Sequence, residues 1–172
     1  MNKVVIENLL RFVVLLLLQV FVCNYVHLFG LFNPNIYILA LLLLPFEMSS
    51  SLQYLIAFAT GGVVDLFLMT YGVHAAASLL LVFARPYVLM ALTAGTVKQE
   101  NLEVPMPGQK TWQWLAVYTF IMAFMHQFAV SLLEVFSFSR FYMTLFVAIG
   151  DTIFTTLLIV ALLYIFSPVK KK

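Results

Sequence analysis

The chain reads as an all-α, polytopic membrane protein with six transmembrane helices, the second of them short. Three observations predict this. Hydrophobic residues make up 64% of the 172 positions and charged residues only 9%. Mean hydropathy is +1.06, far outside the range of soluble domains. Apolar runs of about 20 residues, the length that crosses a bilayer, recur along the sequence. Six such runs fill the chain, so residues 1–172 read as one transmembrane domain with no separate soluble domain.

Apolar runs and their breakers place the helices at about 9–30, 35–47, 52–70, 73–95, 112–136 and 141–166. In the first, Lys3 and Arg11 flank the apolar run Phe12 to Val22. No small-residue cleavage site follows, so this helix is expected to be retained rather than removed as a signal peptide. In the second, Ile36 to Phe46 is bounded by Asn33-Pro34-Asn35 and by Pro45, Glu47 and Ser49-Ser50-Ser51. That is about eleven strongly apolar residues, which suits a short, tilted or re-entrant span. The third and fourth are separated only by Thr70-Tyr71-Gly72, which forces an antiparallel hairpin with Gly72 as the permissive residue. Gly61-Gly62 and Ala75-Ala76-Ala77-Ser78 read as its close-packing faces. The longest connection, 96–111, contains Pro105, Pro107 and Gly108 and is expected to be irregular and polar. Trp112 and Trp114 then anchor the fifth helix at the membrane interface.

Orientation follows from Lys and Arg in the short loops. Six spans with the N-terminus inside put Lys3, Arg11, Lys98, Lys110 and Lys170-Lys171-Lys172 on the cytoplasmic side and only Arg140 outside. Both termini and the 96–111 loop are therefore expected to be cytoplasmic. The net charge of +2 is small and its basic residues lie near helix ends, which leaves nucleic-acid binding without support. The single cysteine, Cys23, rules out an intrachain disulfide and a cysteine-based metal site, and reads as a small buried hydrophobe.

Against this apolar background, Asp65, His74 and Arg85 stand out within Gly61 to Leu89, joined by His126 and Asp151 in the later helices. A charge near the bilayer centre costs about 2.5–3.5 kcal/mol on insertion scales, so such residues pair, line a cavity or meet a partner. Counted from the cytoplasmic helix ends, Asp65 lies about 20 Å deep, Arg85 about 15 Å, His126 about 21 Å and Asp151 about 22 Å. An Arg85–Asp65 pair is the first expectation and an Arg85–Asp151 pair the alternative. Pro86 removes the hydrogen bond to the Val82 carbonyl and can kink its helix. His74, His126 and Gln127 read as interhelical hydrogen-bonding residues. Together Asp65, His74, Arg85, Pro86, His126 and Asp151 form a candidate structural or partner-binding set.

Catalytic patterns are missing. Asp151 follows Ala148-Ile149-Gly150, not the Gly-x-Gly of aspartyl intramembrane proteases, and Asp65 follows Val64 where those enzymes have Tyr. There is no Gly-x-Ser-x-Gly, no H-E-x-x-H and no Walker-type loop. The sequence therefore predicts no enzyme, no cofactor and no metal.

The run Gly62-x-x-Asp65, then Gly72-x-His74-Ala75-Ala76, then Phe83-Ala84-Arg85-Pro86 resembles the core segment of the MreD family of rod shape-determining membrane proteins. Phe12, Gln19-Val20, Asn24 and His27-Leu28-Phe29-Gly30 in the first helix, and the late Gly150-Asp151, extend the resemblance over nearly the whole chain, particularly to divergent, Bacteroidetes-like members. The resemblance implies a non-enzymatic component of the inner-membrane elongation machinery. Its implied partners are MreC, MreB, the RodA polymerase with its class B penicillin-binding transpeptidase, and membrane lipid. It also implies a fold similar to the substrate-binding subunits of energy-coupling-factor transporters, so a small-molecule-binding transporter subunit is the alternative function.

Overall fold

The computed structural model describes residues 3–26, 32–95, 102–135 and 141–166, with side chains from Leu10 onward in the first helix. Six α-helices follow in order: α1 Lys3–Phe21, α2 Tyr37–Leu42, α3 Ser50–Leu68, α4 Val73–Leu92, α5 Trp112–Val135 and α6 Phe141–Phe166. A single 3₁₀ turn, Cys23–Tyr25, follows α1. Four helices, α3 to α6, are long and apolar enough to cross a membrane. The protein is thus an all-α, multi-pass membrane protein, and Phe58, Phe67, Phe83 and Phe146 are exposed on its outer faces as lipid-facing surface requires.

The long helices pack in chain order, α3 on α4, α4 on α5 and α5 on α6, with α1 beside α3. The α3–α4 turn defines one end of this bundle, here called the hairpin end. It closes through three left-handed residues, Met69, Tyr71 and Gly72 (φ 57°, 50° and 96°). The Met69 and Thr70 amides both donate to the Asp65 carbonyl, which stops α3. Close approach of the two helices depends on Gly61: a Cβ there would run into the His74 carbonyl and the Ala75 backbone, whereas one on Gly62 would meet nothing. The expected close-packing glycine face is therefore Gly61 alone.

Three helices depart from the sequence-based expectation. The first spans Lys3–Phe21, not 9–30, and gives way to the 3₁₀ turn at Cys23–Tyr25. The fourth helix ends at Leu92 instead of 95, where Ala94 and Gly95 turn left-handed; it runs unbroken through Pro86. The second departs most. Of 35–47 only Tyr37–Leu42 is helical, a rise of about 9 Å that does not match the ~30 Å hydrocarbon core. Pro45 cannot continue a helix and biases Leu44 away from helical geometry, and on the other side Asn33, Pro34 and Asn35 lie outside any helix and are bonded to side chains. Residues 27–30, 96–101 and 136 lie outside the described residues.

Residues 32–46 nevertheless thread the bundle, exposed at Asn33 and buried from Pro34 to Leu42. Tyr37, Ile38 and Leu41 are fully buried, and they head the hydrophobic core together with Ala57, Val64, Leu81, Met122 and Ile159 from α3 to α6. This interior segment starts about 15 Å below the start of α6, where Asn33 meets Asp151, and ends where Phe46 and Glu47 flank the start of α3. Backbone without continuous helical bonding survives at membrane depth only when protein surrounds it and satisfies its polar groups. The polar residues of the bundle do this.

Candidate functional site

Three clusters of buried polar side chains bear on the interior segment or the hairpin beside it. The first surrounds its entry. The Asn33 amide donates to Asp151 Oδ1 at 2.8 Å and the Asn35 amide to Thr155 Oγ1 at 3.0 Å. Gln127 Nε2 donates to the Asn33 carbonyl at 3.3 Å, and Gln127 Oε1 accepts from Asn35 Nδ2 at 2.8 Å. From α1, Gln19 Nε2 donates to the Pro34 carbonyl and Gln19 Oε1 accepts from the Tyr37 amide, both at 3.3 Å. The phenyl ring of Phe32 occupies the space a Cβ on Gly150 would need, so a glycine on α6 lets the segment in.

The second cluster lies at the hairpin end. Asp65 accepts from the His74 and Ala75 amides, each at 2.9 Å, so its carboxylate caps the first turn of α4. It also bonds Thr70 Oγ1 and His74 Nδ1. His74–Asp65, at 3.1 Å, is the one ion-pair contact among the described residues. Deeper in, His126 Nε2 lies 2.6 Å from the Tyr37 hydroxyl, with Ser78 Oγ 3.4 Å away from the same oxygen. The His74 and His126 rings stand 6.4 Å apart between centroids, which joins the two groups through aromatic contact.

The third cluster is Arg85. Its side chain is 0% exposed. Nη2 donates to the Leu42 carbonyl at 2.9 Å and the Leu44 carbonyl at 2.8 Å, which are among the carbonyls left open where α2 ends. Phe46 covers the guanidinium at 4.3 Å. Nε and Nη1 have no acceptor, and the Tyr118 hydroxyl approaches the group without hydrogen-bond geometry.

These contacts correct the expected Arg85–Asp65 pair, and the Asp151 alternative with it. Asp65 stands three residues before the end of α3, and Arg85 twelve residues past the start of α4. In an antiparallel hairpin that separates them by about 14 Å along the axis, beyond direct contact. Asp65 is therefore a helix cap, Asp151 a receptor for a backbone amide, and Arg85 a donor to backbone carbonyls. His74 and His126 do make interhelical contacts, and Pro86 lines the groove beside Arg85. Cys23 is a free, buried thiol.

Some participants carry a weaker sequence signal. Ser78 lies four residues after His74, and Thr155 four after Asp151, so each falls on the same helix face as a flagged charge. Gln19, Asn35 and Tyr37 gain their roles only from the path of the interior segment. No cluster of three or more His, Cys, Asp or Glu with metal-binding geometry occurs among the described residues. Comparison with protein-family models, with curated proteins and with solved structures finds no match.

Proposed function

We propose that the protein is a non-enzymatic scaffold of the MreD kind in a bacterial inner membrane. In this reading it binds MreC and links MreB filaments to the RodA polymerase and its class B penicillin-binding transpeptidase. The observation that carries it is the use made of the intramembrane polar residues. Asp151, Gln127, Gln19 and Arg85 hold the chain's own interior segment, and Asp65 caps its own helix, so these groups build a fixed platform. The ordered run from Gly62 through Arg85-Pro86 supplies the family resemblance.

The proposed orientation has both termini and the 96–111 loop in the cytoplasm. Arg11 and Lys110, on the described part of the chain, belong to the cationic set that supports it. A cysteine placed at Gln99 should react with an impermeant thiol reagent only after the membrane is opened; labelling from outside refutes the orientation.

Mild-detergent affinity purification from the native membrane, with mass spectrometry of proteins and small molecules, tests the function. Recovery of MreC with the wall synthase is the expected result. Recovery of an ATPase module with a retained vitamin-like molecule would replace the scaffold with an energy-coupling-factor transporter subunit.

A further inference from the structure

Arg85 is a buried cation with no carboxylate partner among the described residues. Only one of its three nitrogens has acceptors, both neutral carbonyls, while Nε and Nη1 have none. A desolvated charge left in this state is expensive, and an anionic group meeting the free edge of the guanidinium would offset that cost. Such a group has a route. Phe46, which covers the guanidinium, also lines a groove of about 270 Å³ between the start of α3 and the second half of α4. Val82 and Pro86, which flank Arg85 along α4, form another wall.

The rest of the groove is polar in a patterned way. It presents the Glu47 carboxylate, the Ser50 hydroxyl at the first residue of α3, the Gln53 amide and the phenols of Tyr54 and Tyr87. Gln53 already donates to the Met48 carbonyl. The groove therefore combines a helix N-terminus, which favours anions, with a buried arginine behind one movable ring, two of whose nitrogens lack acceptors, and an exposed carboxylate at its rim. An anion alone fits the first two and is repelled by the third. A group carrying a phosphate and, a few bonds away, an ammonium fits all three. It opens at the start of the spanning helix α3, with Tyr54 and Tyr87 beside it, and helix ends flanked by tyrosines lie at the level of lipid headgroups.

We propose that this groove binds the headgroup of a phosphoethanolamine-type phospholipid: Ser50, the α3 N-terminus and, once Phe46 turns aside, Arg85 receive the phosphate, and Glu47 receives the ammonium. The binding step is non-covalent and independent of the scaffold reading.

Native mass spectrometry of the full chain, titrated with phosphatidylethanolamine and phosphatidylglycerol of identical acyl chains, tests it. The wild type should retain the ethanolamine lipid about tenfold more tightly, and Glu47→Lys should reverse the order. Glu47 is exposed, so the reversal is read in a folded protein, checked by its unchanged circular dichroism. Phe46→Ala uncovers Arg85 and should tighten both lipids severalfold. Equal retention of the two lipids by the wild type, an unchanged order in Glu47→Lys, or no tightening in Phe46→Ala overturns the proposal. Free phosphoethanolamine competing as well as the lipid does so too, by assigning the groove to a soluble ligand.

Discussion

The interior segment enters the bundle at Asn33–Tyr37 and leaves it at Leu42–Phe46, and the two stretches meet the same need with different chemistry. At the entry, five backbone groups are satisfied by four side chains from α1, α5 and α6, and three of these, Gln19, Gln127 and Thr155, are neutral. At the exit, one arginine serves two carbonyls from α4 alone. Neutral amides are less costly to desolvate and can both donate and accept, so the entry is a shared network in which each member replaces part of another's work. The exit depends on one charged group, whose bonds are individually stronger and whose loss nothing nearby covers.

Arg85→Leu should break the exit outright. It removes two charge-assisted bonds and leaves the Leu42 and Leu44 carbonyls bare, an expected loss of about 3–5 kcal/mol. Thermal unfolding in a fixed detergent would show it as the largest fall of the series. A smaller fall than any entry variant would reverse the contrast between entry and exit.

Gln127→Leu removes the residue that touches Asn33, Asn35 and Thr155 together. The expected cost is about 2–3 kcal/mol in the same measurement, below that of Arg85→Leu because Gln19, Asp151 and Thr155 still hold the segment. A double-mutant cycle with Thr155→Val sharpens this. The two should be non-additive by at least ~0.5 kcal/mol; strict additivity would show that the entry is not a network.

Asp65→Asn probes the hairpin, outside both stretches. The amide keeps an acceptor for only one of the two α4 amides, sets its NH2 against the other and loses the charge, so about 1–2 kcal/mol is expected, with backbone hydrogen exchange rising first at His74 and Ala75. Protection unchanged at those two amides would contradict the capping role. The smallest effect belongs to Gly62→Ala. With open space around its Cβ it should stay within about 0.5 kcal/mol of wild type, whereas Gly61→Ala, aimed at backbone, should cost about 1–3 kcal/mol.

Sequence alone determined the class of the protein and the location of its long helices. Hydropathy sums over some twenty residues and needs no knowledge of neighbours, so α3, α5 and α6 fall within two residues of their expected limits. It also determined which residues had to be explained, because an ionisable group in an apolar run is conspicuous wherever it ends up. The partners were decided by tertiary structure. Depth along separate helices made Arg85 and Asp65 look like neighbours, but the turn at Met69–Gly72 fixes the register of the hairpin and holds them apart. The path of residues 32–46 through the core was decided the same way. A short apolar run with a proline at each end is compatible with a surface turn, a tilted helix or a buried strand-like passage. Only side chains converging from α1, α4, α5 and α6 supply the hydrogen bonds that make the buried passage stable, and that convergence exists only once the bundle has formed.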